Sequence, residues 1–308
     1  MDWYIYVIIF ALVFVFLLWL YIGLHIALNI VRPNIKTIDQ TEVEEKERDY
    51  SLFDDYENFF TDTYSIQSNH HYHLCVYERI QYKDSKKFVV IVHGYTYSHH
   101  GSLKYAKMML RLGYNVIIYD HRFHGNSGGK NTTLGYYEKD DLKTVIDHIY
   151  KKYGQDIYLG TYGESMGGAT VLLEQENDDR VKFLVTDSAF KDIKSLIYIR
   201  LKEKKIPAFI FYSISMVFVW LISGAFLFKV KPIKAIENSK IPMFFVHGLQ
   251  DDYIPYTHSK EMYENYKGPK KLFIADGNAY HARSYYHHKE EYYQELRGFL
   301  NRYTEKQV

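Results

Sequence analysis

The sequence predicts an α/β fold, a mostly parallel sheet flanked by helices on both faces, with an apolar helix ahead of it. From about Tyr72 onward, short β-branched and aromatic runs alternate with stretches whose apolar residues recur at helical spacing. Strands alternating with helices build parallel sheets. Several runs, FVVIVHG among them, are apolar almost without interruption, as strands buried on both faces require. The chain also opens on WYIYVIIFALVFVFLLWLYIGL, Trp3 to Leu24, with no charge in it.

That opening segment matches the roughly 20 apolar residues that cross a bilayer as a helix. Trp3, Tyr4, Tyr6, Trp19 and Tyr21 place aromatic rings near its ends, where interfacial belts form. A cleaved signal peptide would carry a basic leader and a small-x-small cleavage site. The only early charge is Asp2, and no such site follows. The expected layout is a transmembrane anchor over 1–31, a juxtamembrane spacer over 32–71 and an α/β domain over 72–308. The acidic cluster Glu42 to Glu47 suggests a solvated spacer or an amphipathic lead-in helix. Arg32 and Lys36 follow the anchor and no Lys or Arg precedes it. The positive-inside rule then puts the domain on the cytoplasmic side of the cell membrane, on a single-pass anchor.

Within the domain, HLCVYERI and FVVIVHG are strands, and LKYAKMMLRLG is an amphipathic helix closed by Gly113. NVIIYD is the next buried strand. Tyr136 to Tyr153 forms a helix with Leu142, Val145, Ile146 and Ile149 on one face. DIYLGTYG, VKFLVTDSAF, IPMFFVHG and KKLFIAD are further strands. Helices are expected at MGGATVLLEQE, near Ser259 to Tyr266, and over the closing SYYHHKEEYYQELRGFLNRY. One segment, about 188–240, breaks the alternation. Its stretch Ile206 to Val230 is apolar enough to suggest a second span. A full crossing there would put strands of one sheet on opposite sides of the bilayer. An apolar cap, packed or re-entrant to the interface, is the expectation.

Composition excludes several classes. A net charge of +1 gives no global electrostatic case for nucleic acid. The single cysteine, Cys75, permits neither an internal disulfide nor a cysteine-rich metal site. Histidines are plentiful, but no carboxylate or cysteine pattern completes a metal site around them, and no phosphate-binding Gly loop is present. No metal and no cofactor are expected.

The chemistry concentrates in five loops. Gly163-Glu164-Ser165-Met166-Gly167 follows a strand and opens a helix. In that context G-x-S-x-G is a nucleophile elbow, whose small residues let the chain turn sharply enough to expose a hydroxyl. Out of that context it would be a Gly-rich turn with a capping serine. A serine needs a base, and functional residues of such sheets lie after the carboxyl ends of strands. His281 is the histidine of the loop after the last strand. Asp251 and Asp252, after the preceding strand, are both candidates for the acid that orients it, with Asp187 in reserve.

HGYTYSHHG, DHRFHGNSGG, GESMGG, HGLQDDYIP and GNAYH, in this order, resemble the signature of α/β-hydrolases of the serine aminopeptidase and monoacylglycerol-lipase-like kind, here in a membrane-anchored bacterial form. The resemblance spans Lys87 to Tyr303. It implies the α/β-hydrolase fold and a triad of Ser165, Asp251 and His281. The family's H-G-x-x-D-x-x-V-P falls on His247 to Pro255 and selects Asp251 over Asp252. It also implies an oxyanion hole from the backbone N–H groups of Tyr95 and Met166. Two departures stand out: Tyr280 precedes the histidine where glycine is usual, and Phe123 replaces a glycine of D-x-R-G-x-G-x-S. The implied activity is a serine hydrolase, a carboxylesterase or lipase-like enzyme; the apolar cap and the anchor favour lipophilic or acyl-chain esters, with small-molecule or lipid esters and the membrane as partners. A serine peptidase or amidase, or an inactive membrane-bound scaffold, are the alternatives.

Overall fold

The computed structural model describes residues 3–303; Met1, Asp2 and the last five positions of the expected domain, 304–308, lie outside the described residues. In chain order the sheet is made by β1 (Asp62–Gln67), β2 (His73–Arg79), β3 (Lys87–Val92), β4 (Asn115–Tyr119), β5 (Tyr158–Glu164), β6 (Val181–Asp187), β7 (Met243–Gly248) and β8 (Lys270–Ala275). Their spatial order is β1-β2-β4-β3-β5-β6-β7-β8. β2 runs antiparallel to both β1 and β4, and every later pairing is parallel.

The central strands are apolar throughout because both faces are covered. Val89, Ile91, Val185 and Phe244 face one core, while Val90, Ile117, Leu184 and Phe245 face the other. The helices that cover them are α3 (Leu103–Arg111), α4 (Glu138–Tyr153), α5 (Met166–Glu174), α9 (Thr257–Asn265), α10 (Ser284–His287) and α11 (Lys289–Tyr303). The face of α4 expected from helical spacing is the buried one. Gly160 is needed where β5 passes β6, since a Cβ there would lie 2.1 Å from the Phe183 ring.

The first seventy residues pack on the domain more closely than an anchor and a free spacer would. α1 (Trp3–Val31) is one apolar helix, about 43 Å long at 1.5 Å per residue against a hydrocarbon core of ~30 Å. Its first part stands clear of the domain, but Gly23, Ile26, Ala27 and Val31 are buried against it. Its end is capped by the domain. Pro33 has no N–H to offer the Asn29 carbonyl. The Tyr95 hydroxyl, 3.0 Å from both the Asn29 and Ile30 carbonyl oxygens, takes that role, and the Thr132 N–H donates to the Val31 carbonyl at 2.9 Å.

The expected spacer over 32–71 is part of the folded unit. α2 (Ile38–Arg48) starts on a capping box formed by Thr37 and Gln40, and β1 pairs along its whole length with β2. Glu45, from the acidic cluster, is fully buried. Arg48 pairs with it, the Tyr286 hydroxyl donates to it, and the Tyr97 hydroxyl donates at 2.8 Å. Charge spacing alone cannot separate such a helix from a solvated one, because i,i+3 and i,i+4 pairs suit both.

The cap consists of α6 (Ile193–Glu203), α7 (Ala208–Ser223) and α8 (Pro232–Ala235). α7 lies along the end of α1: a Cβ on Gly23 would meet Ile214 at 2.7 Å, and the Trp19 indole donates to the Ile210 carbonyl at 3.0 Å. Only a small residue at position 23 allows that approach. Phe209, Val217, Trp220 and Leu221 remain exposed on the outer face of α7.

Candidate active site

β5 ends at Glu164 and α5 begins at Met166, so Ser165 alone makes the turn, with φ 54° and ψ −113°. A non-glycine residue with positive φ is strained, and the flanking glycines make the strain tolerable by allowing contact. A Cβ on Gly163 would lie 2.2 Å from the Gly167 carbonyl oxygen, and one on Gly167 would lie 2.1 Å from the Val92 carbonyl oxygen. The Ser165 N–H is held by the Asp187 carbonyl at 2.8 Å.

The three residues singled out from the loops after β5, β7 and β8 meet. His281 Nε2 lies 2.9 Å from Ser165 Oγ, and His281 Nδ1 lies 2.7 Å from Asp251 Oδ2. Asp251 is anchored from its other side: its Oδ1 accepts the backbone N–H groups of Tyr253 at 2.9 Å and Ile254 at 2.7 Å. Asp252 is exposed. Asp187 is turned away into the core, where Ser188 and Tyr105 donate to its carboxylate at 3.0 and 3.1 Å. Burial and the nearby Glu164 carboxylate push its pKa up. Tyr280, the departure from glycine, is half exposed and leaves His281 in place.

A residue not singled out from the sequence completes the acid's setting. His247 Nε2 sits 3.0 Å from Asp251 Oδ2 and 2.7 Å from the Ile254 carbonyl, while its Nδ1 meets Ser259 Oγ at 2.7 Å. Nε2 faces two acceptors, so it carries the hydrogen. Burial alone would raise the Asp251 pKa, but the hydrogen bonds from His247 and His281 outweigh it and hold the carboxyl below the usual range. The signal was present as the first residue of HGLQDDYIP, although a histidine there looks like any strand terminus.

The loop after β3 passes over the serine: a Cβ on Gly94 would stand 3.5 Å from Ser165 Cβ. His93 fixes that loop. Its Nε2 accepts the His121 N–H at 2.9 Å, so the hydrogen is on Nδ1, which donates to the Gly94 carbonyl at 2.8 Å. Burial drives the His93 pKa well down, keeping the ring neutral. The trans peptide then directs the Tyr95 N–H away from the Gly94 carbonyl. His124 Nε2 accepts the Thr96 N–H at 3.0 Å, and His121 Nε2 donates to the His93 carbonyl at 3.2 Å. These histidines are backbone clamps. Phe123, in the place of a glycine, adopts φ 65°.

Beside the site lies an apolar cavity of about 410 Å³. α6 supplies Leu196, Ile197 and Leu201, α1 supplies Ile26 and Ile30, and Tyr95, from the loop over the serine, and Tyr253 also line it. The Tyr253 and His281 ring centres are 5.0 Å apart. Among its lining residues the charged side chains are Arg200 and Lys204, with His25 at the α1 wall.

Comparison with known proteins agrees with this architecture. Residues 83–223 match the family model described as serine aminopeptidase, S33. The YqkD protein of Bacillus subtilis is 34% identical over 269 residues, covering 86% of this chain and 88% of its own. A Saccharomyces cerevisiae protein described as a membrane protein, YNL320W, is 27% identical over 53% of each chain. Among solved structures, an esterase of Pyrococcus furiosus superposes with a TM-score of 0.66 at 26% identity, over 81% of this chain and 94% of that one. With the sheet order, the elbow and these relatives together, the chain belongs to the α/β-hydrolases.

Proposed function

We propose that this protein is a membrane-anchored serine ester hydrolase that works through an acyl-enzyme on Ser165, with lipophilic acyl esters as substrates. The observation that carries the reading is the continuous chain of hydrogen bonds from Ser165 Oγ through His281 to Asp251. In the first half-reaction Ser165 Oγ attacks the ester carbonyl and His281 Nε2 takes its proton. The tetrahedral oxyanion rests on the Tyr95 and Met166 N–H groups, and the alcohol leaves with the proton returned from His281. In the second half, water loses a proton to His281 and attacks the acyl-enzyme. The serine leaves as the alkoxide and is reprotonated, and the carboxylic acid is released. Asp251 holds the imidazole in the tautomer with Nε2 free and stabilises the imidazolium.

The family model's description favours a second reading, an aminopeptidase. That activity must hold a cationic α-amine, and the cavity presents Arg200 and Lys204 with apolar walls, a lining suited to acyl chains. Membrane attachment is supported by α1, an apolar helix long enough to cross a bilayer. A cytoplasmic domain is supported by Arg32 and Lys36 after it. A panel of p-nitrophenyl esters and aminoacyl anilides tests the choice. Ester turnover exceeding anilide turnover supports the proposal, and the reverse moves it to the peptidase reading.

A further inference from the structure

α1 does more than approach the domain. Its residues His25, Ile26, Asn29 and Ile30 line the cavity that also takes in Tyr95 and Tyr253. A second cavity, about 440 Å³, continues along the same helix and is bordered by Tyr21, Ile22, Pro207 and Phe211. The two share His25, Ile26 and Ile206 in their linings. Together they make one track, walled by α1 on one side and by the α6–α7 elbow on the other. It leads from Tyr95 and Tyr253 toward the part of α1 that stands clear of the domain. At that outer end Tyr21 is 65% exposed, on a segment too apolar to be left in water.

We propose that this track is the acyl-binding site for an ester resident in the bilayer, that α1 is one of its walls, and that the chain reaches Ser165 from the lipid side. The inference rests on the ester-hydrolase reading above. The occupant is an acyl chain because aliphatic and aromatic side chains make most of the lining, with His25, Asn29 and Arg200 the polar exceptions, while the exposed Lys204 and Lys205 sit at its rim, where an anionic interface lies. The anchor is therefore a substrate-binding element. The tie from the Tyr95 hydroxyl to the Asn29 and Ile30 carbonyls fixes that wall to the loop over the serine.

The test uses the full chain in lipid nanodiscs and an alkyl fluorophosphonate bearing a diazirine near the far end of a long chain. The fluorophosphonate phosphorus bonds to Ser165 Oγ and fluoride leaves; light then crosslinks the diazirine carbon to whatever lines its path. Crosslinks on the tryptic peptides of α1 and of the α6–α7 elbow are expected. Crosslinks confined to the open side of His281, around Tyr280 and Arg283, would overturn the proposal. A second measurement compares His25→Trp and Ile206→Trp with the wild type, each normalised to its fluorophosphonate-titrated sites. The ratio of laurate to acetate kcat/KM should fall about tenfold, and an unchanged ratio in both variants would also overturn it. Absence of any labelling of the wild type would instead refute the ester-hydrolase reading, so the two failures are distinguishable.

Discussion

Replacing Asp251 with Asn exchanges one acceptor for one donor at a place where the surrounding groups decide its orientation. Oδ1 accepts two backbone N–H groups, from Tyr253 and Ile254, so the amide oxygen must stay there. The amide nitrogen then occupies the Oδ2 position, 2.7 Å from His281 Nδ1. An NH₂ facing Nδ1 forces that nitrogen to accept, which moves the imidazole hydrogen to Nε2, opposite Ser165. His281 can then no longer take the serine proton. This tautomer reversal costs about 10⁴-fold in turnover in a Ser-His-Asp site, or roughly 5 kcal/mol at 1.36 kcal/mol per tenfold. His247 Nε2–H, 3.0 Å from the same position, loses one of its two acceptors and keeps the Ile254 carbonyl at 2.7 Å, so a loss of stability of about 0.5–1.5 kcal/mol should accompany it. The assay is steady-state hydrolysis of a p-nitrophenyl ester, with the second-order rate of fluorophosphonate labelling measured in parallel. Asp252→Asn, at an exposed side chain, should stay near wild type in both. If Asp251→Asn kept activity within tenfold of wild type, the acid would not be orienting His281 and the reasoning would fail.

Other predictions follow from burial. Glu174 is held protonated, its pKa raised to about 8 from 4.5, by burial first and the Asp178 charge second. Its protonation therefore stabilises the fold fully below about pH 4.5, and that contribution is lost as pH rises through about 8. Glu174→Gln should leave Tm near wild type at pH 4, raise it part of the way at pH 6 and raise it by about 4 °C or more at pH 9, and a Tm difference that is the same at pH 4 and pH 9 would contradict the assignment. Val217 and Leu221 are 49% and 62% exposed, on the outer face of α7 and away from the cavity. Val217→Asp with Leu221→Lys should leave the protein in the membrane fraction through α1 but withdraw the α7 face from the bilayer, read as lower quenching of Trp220 by brominated lipid, and leave the acyl-length preference alone. Gly167→Ala would drive a Cβ to 2.1 Å from the backbone oxygen of Val92. Folded protein should be lost or its Tm lowered by about 10 °C, as for an overpacked site worth ~3 kcal/mol.

The sheet was legible because buried parallel strands leave near-continuous apolar runs, and FVVIVHG, DIYLGTYG and IPMFFVHG all became central strands. Ser165, His281 and Asp251 were legible because each follows a strand whose carboxyl end faces the same side of the sheet. Four features were not. α2 was legible only as a solvated spacer or a lead-in helix because its charges pair at helical spacing, and that pattern does not reveal that Glu45 meets Tyr97 and Tyr286 from distant loops. β1, DTYSIQ, is an edge strand exposed at four of its six positions, so it lacks the apolar signal of the others. The cap was legible as apolar and as an insertion, but its contact with α1 depends on Gly23 meeting Ile214, a long-range fit that no local pattern encodes. His247 escaped notice for the same reason: its partners Asp251 and Ser259 converge on it only in the folded chain.

The central claim is that Ser165 is a nucleophile activated by His281. Its most direct test is the site and rate of covalent modification of the full chain by a fluorophosphonate, mapped by peptide mass spectrometry. A single adduct is expected, on the peptide containing Gly163-Glu164-Ser165-Met166-Gly167, absent in Ser165→Ala and slowed by several orders of magnitude in His281→Ala, with the fold of both variants retained. Full labelling of Ser165→Ala, or an adduct mapped to another residue of the wild type, would contradict it.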